Sequence, residues 1–344
     1  MDMKPVRVLV VDDSIFAREL ITAILSEDSG IQVAGQAVNG ADALKKVEEL
    51  RPDIVTMDVD MPVMDGLEAI SRIMSSHALP ILVVTSRADA NTAWHAISKG
   101  ALEVIPKPDV NEVSGAEFSR KVRMLARVKV ISHIRRDCSP RMEAQTHTYA
   151  GDSRPGTGKL VAIASSTGGP KALSILLSAL PENFPCPIVI AQHIAADFVS
   201  GMVNWLDKIV SLKVKTGVDG ESLVPGTVYI SPSEKHMRAE QGKRIGFAPV
   251  QTGDIYFPSC NILLTSAAEV YGSGCIGIIL TGMGDDGISG LRAIKDAGGF
   301  TIAQDEQTSV IFGMPRVAIE KGCADKVLPI HKIAEEIMFR VTGK

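Results

Sequence analysis

Two doubly wound, mostly parallel α/β domains joined by a linker are what the sequence predicts for these 344 residues. Short β-branched apolar runs alternate with amphipathic helical stretches through both halves, the pattern of parallel sheets covered by helices on both faces. The residues with chemistry to do stand just after those runs, at strand carboxyl ends, where open α/β sheets place their sites. Between the halves, 137–159 is polar and carries Pro140, Gly151, Pro155, Gly156 and Gly158, which predicts a flexible linker. A chain of this length is also long for a single core, so two domains are the natural division.

In the first half, Val8 to Val11 reads as a buried strand ending in Asp12-Asp13-Ser14, and Ala17, Leu20, Ile21, Ile24 and Leu25 then recur at helical spacing. The alternation continues with Ile31 to Val33 and a helix from Ala41 to Leu50, then Ile54 to Met57 and a helix after Gly66. Ile81 to Thr85 with a helix near Asn91 to Lys99, and finally Glu103 to Ile105, complete five strands. Their ends bring together Asp12, Asp13, Asp58, Thr85 and Lys107. Three converging carboxylates repel unless a hard divalent cation neutralises them, and octahedral Mg²⁺ with oxygen ligands suits. A carboxylate beside that ion could attack a phosphoryl donor while a hydroxyl and an ammonium take the charge of the phosphoryl oxygens. Taken singly, an aspartate here is a helix cap and the lysine a solvated loop residue; only the joint set argues for chemistry.

Val11-Asp12-Asp13-Ser14, Met57-Asp58-Val59-Asp60-Met61-Pro62 with Asp65-Gly66, Thr85-Ser86 and Lys107-Pro108, in that order, resemble the receiver domain of two-component response regulators. The resemblance implies that Asp58 accepts phosphate from a histidine kinase. It implies further that Asp12, Asp13 and Asp58 hold Mg²⁺ and that Thr85 and Lys107 read the phosphoryl group. Receivers often carry an aromatic residue shortly before the lysine, and Val104 stands there.

Beyond Asn111, Phe118, Val122, Leu125, Val128, Ile131 and Ile134 recur every three or four residues on a basic segment, which predicts a last helix running on toward the second domain. The expected division is 1–125 for the receiver, 126–158 for helical extension and linker, and 159–344 for a second domain.

Val161 to Ala164 then reads as a buried strand, Thr167-Gly168-Gly169 as a sharp turn, and Pro170 with Ala172, Leu173, Leu176, Leu177 and Leu180 as a helix. Ser165 and Ser166 therefore stand on a strand-to-helix turn beside unpaired helix N–H groups, a place for a nucleophile or for a bound phosphate. Ile188 to Ala191 leads to Gln192-His193 and a helix near Ala196 to Val210. Leu212 to Val214, Thr227 to Ile230, His236 to Ala239 and Arg244 to Phe247 read together as a small β-rich excursion. A helix from Ile262 to Gly272 precedes the strand Cys275 to Leu280, which ends in Thr281-Gly282-Met283-Gly284-Asp285-Asp286-Gly287. Leu291 to Ala297, Thr301 to Gln304 and a helix near Ile330 to Val341 close the chain.

Side by side at a topological switch point, the ends Ser165-Ser166, His193 and Asp285-Asp286 would supply nucleophile, base and orienter of a hydrolytic triad. Serine needs a base because its hydroxyl is a poor nucleophile near neutrality, and a carboxylate fixes the imidazole tautomer. Each residue also has an ordinary structural use, as cap, satisfied polar group or turn former. A dinucleotide site would want a carboxylate at the end of the next strand, where His193 stands instead. No G-x-S-x-G elbow is present, so generic hydrolase motifs do not apply.

Composition narrows the rest. With 45% hydrophobic and 22% charged residues the chain is an ordinary globular protein, and a net charge of −4 gives no general attraction to nucleic acid or anionic lipid. The five cysteines are scattered without a CxxC pair, which reads as reduced thiols of a cytoplasmic protein, neither a disulfide frame nor a zinc site. No stretch approaches the length of a membrane span.

Receiver, linker and a domain containing Ser166-Thr167-Gly168-Gly169-Pro170, Gln192-His193, Lys235-His236, Thr281-Gly282-Met283-Gly284-Asp285-Asp286-Gly287 and Phe312-Gly313-Met314-Pro315 together resemble the chemotaxis protein-glutamate methylesterases over essentially the full length. The resemblance implies Ser166 as nucleophile rather than Ser165, His193 as base and Asp286 rather than Asp285 as orienter, with Thr167 and Met283 lining the site near the oxyanion. It implies a Rossmann-like hydrolase domain needing no cofactor for hydrolysis. The activity implied is hydrolysis of glutamate methyl esters on the cytoplasmic helices of chemoreceptors in chemotactic adaptation, with deamidation of receptor glutamines in many members. The unphosphorylated receiver is expected to cover the active site and phosphorylation to relieve the block. The loop that often reads Arg-Pro-Ser-Val-Asp in that family is Phe257-Pro258-Ser259-Cys260-Asn261 here, without its two charges. An esterase acting on another substrate and a non-catalytic response regulator are the alternatives.

Overall fold

In the computed structural model, residues 4–86, 93–108, 115–130 and 158–343 are described. They form two parallel-sheet α/β units, as the alternation predicts. The first carries the strands β1 (Val6–Val11), β2 (Ile31–Ala37), β3 (Ile54–Met57), β4 (Ile81–Thr85) and β5 (Glu103–Pro106) in the order 2-1-3-4-5. All its pairs are parallel. The chain reverses its direction of travel across this sheet between β1 and β3, so Asp12 and Asp58 emerge side by side at the switch point. Val8 to Val11 and all of β3 and β4 are buried, which is why these strands read as continuous apolar runs rather than as alternating ones.

The second unit has a seven-stranded sheet. In chain order its strands are β6 (Leu160–Ser165), β7 (Ile188–Gln192), β8 (Lys213–Thr216), β9 (Thr227–Ile230), β12 (Cys275–Ile279), β13 (Phe300–Gln304) and β14 (Lys326–Leu328). Their order across the sheet is 14-13-12-6-7-9-8. The first strand of the domain is thus central, with the next strand on one side and a much later one on the other. That is the switch-point arrangement the site requires.

The β-rich excursion is smaller than the sequence predicts. Lys213–Thr216 and Thr227–Ile230 join the main sheet in parallel, and only β10 (Lys235–Glu240) and β11 (Arg244–Pro249) pair as a separate antiparallel hairpin. Thr227–Ile230 is buried throughout, and that burial comes from docking beside β7 rather than from any local pattern. The last receiver helix, Gly115–Leu125, also stops short of the extension predicted from its periodicity. Val128 continues the apolar spacing because it packs, with Val130, on the receiver core without being helical. The part of that extension carrying Ile131 and Ile134, the linker over 137–157 and the start of the helix expected from Asn91 lie outside the described residues. Lys326–Leu328 and the helix Met314–Glu320 were not anticipated; each is too short to show a period.

The two units touch through an aromatic pair. Trp94 and Trp205 stack with ring centroids 6.1 Å apart. Trp94 Nε1 donates to the Phe198 carbonyl at 3.1 Å and Trp205 Nε1 to Ser98 Oγ at 3.2 Å, so each indole N–H is satisfied across the contact. No helix among the described residues is long and apolar enough to cross a membrane.

Candidate active site

Ser166 leaves the central strand at a turn built for close approach. Gly168 has φ +77° and a Cβ there would lie 2.5 Å from Val310 Cβ, so a side chain is barred by both backbone and space. Pro170 then starts the helix Gly169–Ser178, where a missing N–H costs nothing. The Ser166 N–H donates to the Thr281 carbonyl at 3.0 Å, which ties the turn to the end of β12. Gly282 brings that loop in further, for a Cβ on it would lie 2.7 Å from Ser166 Cβ.

On the other side, His193 N–H donates to the Ser165 carbonyl at 3.0 Å. Buried Gln192 completes the join. It accepts from Ser165 Oγ at 2.6 Å and donates from Nε2 to the carbonyls of Ser166 and His193, both at 2.9 Å. Ser165 is therefore occupied in the core, whereas Ser166 is half-buried. Ser165→Ala should cost about 1–3 kcal/mol of stability by leaving the Gln192 carbonyl oxygen unpaired in the interior, while most turnover survives. Denaturant unfolding alongside an ester assay checks both, and complete inactivity with an intact fold would transfer the chemistry to Ser165.

His193 and Asp286 meet directly, Nε2 to Oδ2 at 2.8 Å. Since Nε2 is committed to the carboxylate, Nδ1 is the ring nitrogen left to take a proton from a nucleophile. Tyr256 stacks on the imidazole, centroids 5.1 Å apart and planes 9° apart, and its hydroxyl donates to Asp285 Oδ1 at 3.2 Å. Asp285 is exposed while Asp286 is buried. Burial by itself raises the Asp286 pKa, but the hydrogen bonds from His193 and from the Cys260 and Asn261 N–H groups outweigh it and hold the carboxyl below its ordinary value. Those N–H groups reach Oδ2 at 2.6 Å and Oδ1 at 2.9 Å, and Ser259 Oγ donates to Oδ1 at 3.3 Å.

The Phe257 to Asn261 segment, which lacks the two charges common in the family, thus has a structural use. Its last three residues open the helix Cys260–Tyr271 and hold the buried carboxylate at that helix's positive end. Sequence reasoning missed these partners and Tyr256. The start of a helix near Ile262 was legible as a generic anion site, but nothing local says that its anion stands some twenty-five residues downstream. Thr167 is buried and Met283 half-buried, and neither backbone N–H finds an acceptor among the described residues.

In the first unit, ligand atoms of Asp12, Asp13 and Asp58 all lie within 4.8 Å of one another. Lys107 Nζ lies 2.7 Å from Asp12 Oδ2 and 2.8 Å from Asp58 Oδ2. Only the second contact is aligned as a hydrogen bond, so Asp12 Oδ2 is buried with an ion pair but no hydrogen bond. An all-oxygen donor set with such an open oxygen fits a hard divalent cation. Burial raises the Asp58 pKa and the Asp12 charge adds to it, against the pull of Lys107. Thr85 Oγ1 is buried without a partner among the described residues, a hydroxyl free for a phosphoryl oxygen. Val104 is buried in the receiver core.

Space between the units reaches one residue of each site, Lys107 and His193. A cavity of about 300 Å³ is lined by Trp94, Val104, Lys107 and Phe118 on one side and by Pro170, His193 and Phe198 on the other. Another, of about 630 Å³, lies between Met124, Arg127 and Val128 and the loop carrying Met283 and Asp285.

Comparison with known proteins gives two family matches, the CheB methylesterase over residues 161–337 and the response regulator receiver domain over residues 8–117. A protein-glutamate methylesterase/protein-glutamine glutaminase from Paramagnetospirillum magneticum is 44% identical, with 98% of this chain and 96% of the relative covered. One of the same name from Anaeromyxobacter dehalogenans is 43% identical over 96% of this chain and 95% of its own. The crystal structure of the Thermotoga maritima CheB methylesterase catalytic domain matches with a TM-score of 0.51 and 43% identity, over 53% of this chain and 97% of that one.

Proposed function

The chain belongs to the CheB methylesterase family, with a response regulator receiver domain in front, and from that premise we propose that it hydrolyses glutamate methyl esters on chemoreceptors under control of receiver phosphorylation. Residues 1–125 form the receiver, 126–158 the connection and 159–344 the hydrolase. The observation that carries the reading is the convergence of Ser166, His193 and Asp286 from three adjacent strands, with the imidazole held to a buried carboxylate at 2.8 Å.

Ser166 Oγ attacks the ester carbonyl and gives its proton to His193 Nδ1, and the tetrahedral oxyanion is met by the Thr167 and Met283 N–H groups. His193 returns the proton to the departing methoxide, so methanol leaves and an acyl-serine remains. Water, deprotonated by the same nitrogen, then releases the glutamate carboxylate and restores the serine. Asp286 stays ionised throughout and stabilises the imidazolium; its depressed pKa suits that part. Glutamine deamidation would follow the same path with ammonia leaving. In the receiver, Asp12, Asp13 and Asp58 would hold Mg²⁺, which when bound offsets the charge of the phosphoryl oxygens. Asp58 takes the phosphoryl group from a histidine kinase, and Thr85 and Lys107 contact it. Methanol release from methylated receptors, with and without a phosphodonor, tests the reading; an ester other than a receptor's being the sole substrate would favour the second esterase reading.

Control follows from the contact between the units. Trp94 and Ser98 of the receiver engage the helix Ala196–Ile209 that follows His193, and Lys107 lines the same cavity as His193. Phosphorylation relieves a docked receiver only by as much as it biases docked against undocked states. A chain beginning at Gly158 should therefore turn over receptor esters faster than the unphosphorylated full chain, and phosphorylation of the full chain should recover part of the difference. Equal rates for the two unphosphorylated forms would leave the receiver a targeting role only.

A further inference from the structure

Cys260 stands where the hydrolytic site has no use for a thiol. Its Sγ lies 3.4 Å from His193 Nε2, and ligand atoms of Cys260, His193 and Asp286 fall within 4.8 Å of one another. Zinc bonded to sulfur at about 2.3 Å and to nitrogen or oxygen at about 2.0–2.2 Å sets neighbouring ligands roughly 3.3–3.6 Å apart in a tetrahedron. The sulfur–nitrogen edge already has that length. The nitrogen–oxygen edge, 2.8 Å, is that of a hydrogen bond and opens by about half an ångström when an ion replaces the proton between them.

We propose that His193, Cys260 and Asp286 form an inhibitory site for a thiophilic divalent cation, Zn²⁺ being the natural occupant. One thiolate and one carboxylate balance the ion's charge, so the buried set becomes neutral on loading. Of the three ligands, His193 lines the cavity of about 300 Å³. Mg²⁺, a hard ion, does not compete for this sulfur and nitrogen set and keeps to the receiver carboxylates.

The proton accounting explains how binding silences the enzyme. In the free site the imidazole carries its proton on Nε2, toward Asp286. The ion takes that position, the imidazole proton moves to Nδ1, and Nδ1 can then no longer accept the Ser166 proton. The thiol proton is the one proton released to solvent.

The effect on turnover rests on the proposed roles of His193 and Asp286, but the binding test does not. The full chain, with saturating Mg²⁺ on the receiver, is titrated with Co²⁺ as a spectroscopic stand-in for Zn²⁺. Expected are one tight equivalent, a thiolate-to-cobalt charge-transfer band with the intense visible bands of a four-coordinate ion, release of one proton, and displacement by Zn²⁺. Cys260→Val and Cys260→Ser should lose the charge-transfer band. In either variant the Zn²⁺ concentration that halves its own uninhibited ester hydrolysis should rise at least ~10-fold, the scale on which even outer-shell losses weaken metal sites. Absence of the charge-transfer band from the wild type overturns the proposal without recourse to any variant, as does Zn²⁺ inhibition unchanged by removing the thiol. A wild type that shows the band but hydrolyses no ester would retain the metal site and sink the esterase reading instead.

Discussion

Ser166→Ala should reduce hydrolysis of receptor methyl esters by roughly 10⁶-fold, to the level left by binding and the oxyanion donors alone. The Ser166→Ala/His193→Ala double variant should be no worse, because a positioned base does nothing without its nucleophile. Asp286→Asn should fall by about 10⁴-fold, since an amide cannot hold the imidazole with its proton on Nε2 and Nδ1 free. Asp285→Asn should keep most activity, for Asp285 is exposed and its carboxylate accepts from the Tyr256 hydroxyl rather than from His193. Methanol release under single-turnover conditions separates these cases. A fully active Ser166→Ala protein, or strictly additive losses, would mean that the three residues do not act as one unit.

Asp58→Asn should abolish labelling by acetyl phosphate in Mg²⁺ and with it any activation of the full chain. Burial disfavours the ionised Asp58 carboxylate, so its pKa is raised. Such a group stabilises the fold most below its ordinary value, and that stability is lost as pH rises through the raised one. At neutral pH without Mg²⁺ the variant should accordingly be at least as stable to heat as the wild type, while at acid pH the difference should vanish. Undiminished labelling of the variant would remove the assignment, and a marked loss of neutral-pH stability would show that the Lys107 pairing outweighs the burial cost.

Much of the receiver was legible because its site is made of residues that immediately follow buried strands. Asp12, Asp58, Thr85 and Lys107 each stand next to an apolar run, and parallel pairing brings such ends to one edge whatever the helices do. The same rule made Ser166, His193 and Asp286 candidates. It did not distinguish Ser165 from Ser166, since neighbouring residues at a strand end look alike until one is seen bonded to buried Gln192. Nor could it separate the parallel strand Thr227–Ile230 from the Lys235–Glu240 hairpin, as short apolar runs carry no sign of which edge they will join.

By itself the sequence determined the two α/β units, the carboxylate cluster of the receiver and the three strand ends of the candidate site, because burial of apolar runs and strand-end chemistry are both local properties of the chain. Only the tertiary structure decided what surrounds them. The Cys260 and Asn261 N–H groups on Asp286, the Tyr256 ring on His193, the thiol beside the imidazole and the Trp94–Trp205 contact all join residues far apart in the chain. Such contacts leave no period or spacing in the sequence, since they arise from how whole elements pack.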